Sequence, residues 1–151
     1  MKTIRALLFV IVLLGSHLLA GCDASPDEVA IRETIKTMRG AIENHDANLL
    51  MQAIADDYSG TYRQDRKRLN DFVARHLERN RVIHLYLADI ELEIEGEIAK
   101  VRFYSGIAGG PGQVPERGQL YVVETDWVKR ENTWLLQRAR WRPKLFVPNP
   151  G

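Results

Sequence analysis

Asp126 is the acid best placed to do chemistry. It stands between Thr125 and Trp127 in QLYVVETDWVKRENTWLLQRARWRP (119–143), among largely apolar neighbours. Burial in such a strand raises a carboxyl pKa, which suits the group to act as a general base near neutral pH. The competing reading is an outward-facing strand acid bonded to Gln137 or paired with a nearby arginine. Past residue 22 the histidines are His45 in a turn, His76 on an apolar helix face and His84 at a strand start. None has metal-ligand spacing, and there is no HExxH or Cys/His cluster, so no metal or cofactor is expected. On that helix face, His76 reads better as a core or pocket-rim imidazole than as a base. Arg138, Arg140 and Arg142 recur with period two and share one strand face. That row suits a carboxylate or phosphate in a pocket, lipid headgroups, or a solvated face answering Glu124 and other acids. Trp127, Trp134 and Trp141 do not interleave with the arginines as a stacking platform would, and read as core.

These side chains must be positioned by helices followed by hairpins. Ser25-Pro26-Asp27-Glu28 is a helix start, with Ser as N-cap, Pro at N1 and Glu28 at the capping-box position. Ile31, Ile35, Met38 and Ile42 then share one face, which predicts a helix over Pro26–Glu43. Asn44-His45-Asp46 turns the chain, with Asp46 as N-cap of a second helix, Ala47–Ala55. A short strand is expected at Tyr58–Tyr62. A third helix spans Arg66–Arg79, with Leu69, Phe72, Val73, His76 and Leu77 on its apolar side and Asn80 as its stop.

In 88–95, Ile90, Leu92 and Ile94 alternate with Glu91, Glu93 and Glu95. A Gly96-Glu97 turn sets Ile94 opposite Ala99, Leu92 opposite Val101 and Ile90 opposite Phe103. The same register sets Glu93 opposite Lys100 and Glu91 opposite Arg102, so the acidic stripe reads as a paired, solvated face. GIAGGPGQVPERG (106–118) lacks the Gly-Lys-Ser/Thr ending of a phosphate loop and reads as a long loop. A two-residue turn at Glu131-Asn132 sets Trp127 opposite Leu136, Thr125 opposite Arg138 and Asp126 opposite Gln137. A three-residue turn instead sets Glu124 opposite Arg138, and the choice stays open here.

A chain of 151 residues with 45% hydrophobic content is enough for one cored domain. It opens MKTIRALLFVIVLLGSHLLAGC, with Lys2 and Arg5 ahead of a short apolar run. That run is too short to span a bilayer and fits an export signal. Leu19-Ala20-Gly21-Cys22 resembles the lipobox of bacterial lipoproteins, in which cleavage precedes a cysteine that then carries acyl chains such as palmitate. On that resemblance residues 1–21 are a signal peptide and Cys22, the single cysteine, is lipidated. Residues 22–24 are then a tether reaching about 10 Å, which holds the domain against a membrane. Asp23 resembles the inner-membrane retention signal of enteric lipoproteins, favouring an inner-membrane, periplasm-facing location over the outer membrane. Cleavage removes two of the 21 Lys and Arg and none of the 20 Asp and Glu. The mature chain is then slightly acidic, with no electrostatic case for nucleic acid.

Three helices followed by long antiparallel strands ending in Trp134-Leu135-Leu136-Gln137-Arg138 resemble the nuclear transport factor 2-like superfamily (SnoaL-like, cystatin-like α+β cone). His45-Asp46-x-x-x-Leu50, Ala55-Asp56-Asp57-Tyr58 and Glu131-Asn132-Thr133-Trp134-Leu135-Leu136 carry the likeness, which covers 25–142 and leaves 143–151 as a Pro-rich tail. The resemblance implies an α+β fold with three helices on a curved, mostly antiparallel sheet and a pocket at its open end. It offers Tyr58, Tyr62, His76, Tyr104, Tyr121, Trp127, Arg138 and Arg140 as ligand-binding candidates. Three roles follow as expectations. The first is a module holding a small amphiphilic ligand or an envelope protein. The second is a cofactor-independent isomerase or dehydratase with Asp126 as base. The third is a structural role through homodimerisation across the sheet.

Overall fold

The computed structural model describes residues 24–110 and 117–144. The export segment, Cys22, Asp23, residues 111–116 and the tail beyond Lys144 lie outside the described residues.

Helix α1 is Pro26–Glu43, with the Ser25 hydroxyl accepting the Glu28 N–H at 3.1 Å. Ile31 and Ile35 are buried on its inner face. Asp46 caps α2 through the Leu49 N–H at 2.8 Å, but α2 is only Ala47–Gln52, shorter than the pattern predicts. Beyond Gln52 other partners capture the backbone. Leu136 N–H donates to the Ala53 carbonyl at 2.8 Å, and the Arg66 guanidinium donates to the Met51 and Ile54 carbonyls at 3.0 and 3.3 Å. Strand β1 therefore begins early, at Ile54–Gly60 rather than Tyr58–Tyr62. Thr61–Arg63 form a short turn, in which Tyr62 has φ +60° and stands 94% exposed. After the two-residue β2 (Gln64–Asp65), α3 spans Arg66–Arg79 as predicted, capped at its start by Asp65. Asn80 stops it with an amide donating to the His76 carbonyl at 2.8 Å, not through a left-handed backbone.

The remaining strands are β3 (Val82–Glu95), β4 (Ile98–Gly110), β5 (Arg117–Arg130) and β6 (Thr133–Pro143). They form one sheet in the order β2-β1-β6-β5-β4-β3, antiparallel except where β1 meets β6. The predicted Ile94–Ala99, Leu92–Val101, Glu93–Lys100 and Glu91–Arg102 pairs all form. Ile90 does not take its predicted place opposite Phe103. Between Ala88 and Glu91 β3 holds one extra residue, a bulge with Asp89 at φ +52°. The inward set changes phase there, from Ile83, Leu85 and Leu87 to Ile90, Leu92 and Ile94.

The described part of the glycine-rich stretch is also corrected: 106–110 and 117–118 are strand rather than loop. Gly106 pairs with Leu120 and Gly109 with Arg117. A Cβ on Gly109 would lie 3.0 Å from the Val82 carbonyl oxygen, so glycine there serves close strand approach. In the last hairpin Glu131 and Asn132 both have positive φ, which fixes the two-residue turn. Trp127 pairs with Leu136 as expected, but a second bulge at Gln137 moves the rest of the register. Thr125 faces Ala139, Asp126 faces Arg138 and Glu124 faces Arg140. Bulges bend the strands that carry them, and the curved sheet wraps α1 and α3. Its concave face joins Ile31, Ile35, Met51 and Leu69 to Ala99, Val101, Trp127, Trp134 and Leu136 in one core.

Candidate functional site

The core fills only part of the cone. Between α1, α3 and the concave sheet lies a cavity of about 1070 Å³, at the upper end of the range for small-molecule sites. The apolar face of α1 runs from the core into it through Ile35, Met38 and Ile42. Leu85 and Leu87 enter from β3, Phe103 and Ser105 from β4, and Tyr121, Val123, Thr125 and Trp127 from β5. The more exposed lining residues include Phe72 and His76 of α3, Ile107 of β4 and Gln119 of β5. The mouth therefore lies by the far ends of β4 and β5, away from the two hairpin turns. At the opposite end, Asp27 at the start of α1 binds the β5–β6 hairpin through Lys129 Nζ (2.7 Å) and Trp134 Nε1 (2.9 Å). These hydrogen bonds, Lys129 first, hold the Asp27 carboxyl below its ordinary range.

Two buried hydroxyls shape the wall. Thr125 Oγ1 donates to the Val101 carbonyl at 3.1 Å and accepts the Trp127 indole N–H at 2.9 Å. That fixes the Trp127 ring, itself 2% exposed, as part of the floor. Tyr58 on β1 is 3% exposed, and its hydroxyl has no partner among the described residues. Burial pushes this phenol up to about 12, so it stays a neutral donor at physiological pH. A Cβ on Gly60 would come 2.6 Å from Tyr58 Oη and 3.1 Å from the equally unpartnered Gln64 Oε1. Only glycine leaves room there for both polar ends.

Of the residues singled out from sequence, Tyr58, His76, Tyr121 and Trp127 line the cavity. His76 stacks on Phe72 with ring centroids 4.1 Å apart, and its Nδ1 lies 3.2 Å from the Phe72 carbonyl oxygen. Tyr62, Tyr104, Arg138, Arg140 and Asp126 do not line it. Asp126 projects from the opposite sheet face to Thr125 and Trp127 and accepts from Arg138 Nη1 at 3.2 Å. It is the outward strand acid of the competing reading, with Arg138 rather than Gln137 as partner. On the same convex face Arg140 answers Glu124 at 3.9 Å, and Lys144 Nζ sits 4.2 Å from the Tyr104 ring centroid. Gln137 instead joins Arg130 on Asp57, at 2.8 and 2.7 Å, and these bonds lower the Asp57 pKa, Arg130 most. Sequence reasoning missed Arg39, Arg79, Ser105 and Thr125 as lining residues. One signal was legible for the last: in 119–128 the acids Glu124 and Asp126 share one phase, while Tyr121, Val123, Thr125 and Trp127 hold the other.

No protein-family model matches the chain, and no curated protein does. Solved structures do. Bd1075 of Bdellovibrio bacteriovorus aligns with a TM-score of 0.71 at 12% identity over 80% of this chain, which spans 41% of that protein's length. A Streptomyces avermitilis protein of the NTF2-like family, proposed to be a dehydratase, aligns with a TM-score of 0.70 at 21% identity, over 81% of this chain and 100% of that one. A cystatin-like protein of unknown function from Nostoc punctiforme aligns at 0.67 with 12% identity, covering 82% of this chain and 96% of that one. At such identities the likeness is one of fold. The described domain has the α+β cone fold of the NTF2-like and cystatin-like proteins.

Proposed function

We propose that this protein is a ligand-binding module of the bacterial cell envelope, tethered through acyl chains on Cys22 and holding a small amphiphile in its cone. The cavity carries the reading: it is large and mostly apolar, and its described lining contains no Asp or Glu. A carboxylate base must come within hydrogen-bond reach of its substrate. Asp126, on the far sheet face and paired with Arg138, offers no such reach. The isomerase or dehydratase reading therefore gains no support from the site. The tether's attachment also fits a module that exchanges ligand with the periplasm. Helix α1 begins at the hairpin end and runs about 27 Å, at 1.5 Å per residue, toward the mouth. A membrane held at Cys22, on the inner membrane as Asp23 favours, would leave the mouth turned away from the bilayer.

A protein partner or a second copy would use the convex face. There Tyr86, Gly106 and Leu120 lie side by side across three strands, with Tyr86 62% and Leu120 40% exposed. Sedimentation of Leu120→Lys against wild type tests that contact, and a wild-type monomer at all concentrations would refute self-association. The binding reading itself is tested by native mass spectrometry of Ser25–Gly151, which keeps the helix cap and every core residue. Purified without detergent, it should carry an extra mass that denaturation releases. A bare protein that also takes up no added amphiphile would overturn the reading.

A further inference from the structure

Charge on the described cavity lining has one sign. Among the described residues that line it, Arg39 of α1 and Arg79 of α3 are the charged ones, with His76 beside them, and no carboxylate is present. Glu43 stands behind Arg39 without lining the cavity. Its Oε1 accepts Arg39 Nε at 3.3 Å and the Leu85 N–H at 2.9 Å, so it orients the guanidinium while supporting the edge of β3. Arg79 is the last residue of α3, exposed, and forms no ion pair among the described residues. Deeper in, Leu50, Ile54, Leu69 and Leu136 offer only hydrocarbon.

We propose that the cavity takes a single-chain amphiphile with an acidic headgroup, its alkyl tail on the floor and its head against Arg79 and Arg39. This rests on the reading of the domain as a binding module and names the ligand class that module selects. Alkyl burial drives entry. A guanidinium fork matches a carboxylate or phosphate by charge-assisted, bidentate hydrogen bonds. A cationic head would meet like charge at Arg79, which has no ion-pair partner among the described residues, and a neutral head would leave the arginines to water.

The test titrates Ser25–Gly151 with decanoate, decyl phosphate, decanol and decylamine, each below its micelle-forming concentration, following tryptophan fluorescence. Trp127 and Trp141 both line the cavity and report its occupancy. The better acid should bind about tenfold or more tighter than decanol, a difference of about 1.4 kcal/mol, and decylamine should bind weakest. Which acid wins tells a carboxylate ligand from a phosphate one. Arg79→Ala combined with Arg39→Ala should remove most of the acid advantage, read as the ratio of acid to decanol affinity. Decanol binding as tightly as the better acid, or an acid advantage that survives the double substitution, would overturn the headgroup assignment and leave the binding module standing. Binding by none of the four would overturn both.

Discussion

Thr125→Val tests how the cavity floor is held. The substitution keeps the shape of a residue 5% exposed and removes one hydroxyl. That hydroxyl takes the Trp127 indole N–H at 2.9 Å and gives its own proton to the Val101 carbonyl at 3.1 Å. Trp127 is buried, so its N–H would be left without a partner, at a cost of about 1–3 kcal/mol. The Val101 carbonyl is less affected, because a carbonyl oxygen has a second lone pair. A net loss of about 1.5 kcal/mol is expected, roughly 0.7 M in the urea midpoint for a slope of about 2 kcal/mol/M. The decisive assay is a double-mutant cycle with Trp127→Phe, read by urea unfolding and far-ultraviolet circular dichroism. In the phenylalanine background no N–H exists to be stranded, so Thr125→Val should cost about 1 kcal/mol less there. Equal costs in both backgrounds would refute the reasoning, as would a Thr125→Val protein as stable as wild type.

Other perturbations follow from single contacts. Gly60→Ala should destabilise by about 1–3 kcal/mol, because the added carbon would stand 2.6 Å from the Tyr58 hydroxyl and force this buried side chain to shift; an unchanged melting temperature would contradict this. Asp27 has a folded-state pKa below its ordinary 3.8, so its contribution is present above about pH 4 and lost as the pH falls through the folded value. Asp27→Asn should therefore lower stability at pH 7 and flatten its decline as the pH falls below the ordinary 3.8, whereas parallel pH curves would deny the linkage. Asp126→Asn should cost less than about 1 kcal/mol, its partner Arg138 being solvent-facing, and should leave ligand affinity unchanged. A tenfold fall in that affinity would bring Asp126 back into the site.

Local chemistry made much of this fold legible. The bounds of α1 and α3 follow from Ser25, Pro26 and Asn80, whose effects act within one helical turn. The Gly96-Glu97 turn was legible because Gly96 sits where positive φ is required, whereas Glu131-Asn132 marked the place of the last turn but not its length. What escaped was set by contacts distant in sequence. The end of α2 is decided by Arg66 and Leu136 capturing carbonyls that a helix pattern assigns to the helix. The bulge at Gln137 changes which residue faces Asp126, and a register counted outward from the turn cannot include it. The β3 bulge did leave a trace, the switch from odd to even apolar positions between Leu87 and Ile90. Asp126 drew attention through its apolar neighbours, yet period-two alternation already set it on the opposite face from Thr125 and Trp127. Arg39 and Arg79 carried no local signal, since each is an ordinary helix residue until two helices close over one cavity.

The three tryptophans provide the most direct test of ligand binding inside the cone. Trp127 and Trp141 line the cavity, while Trp134 lies outside that lining with its indole N–H on Asp27. Nitrogen-15 spectra of the indole N–H groups, assigned by single Trp→Phe substitutions, would be recorded while decanoate is added. The Trp127 and Trp141 signals should shift with one saturation curve while Trp134 stays in place. Saturable binding that moves Trp134 and leaves Trp127 and Trp141 unmoved would place the ligand elsewhere and contradict binding inside the cone.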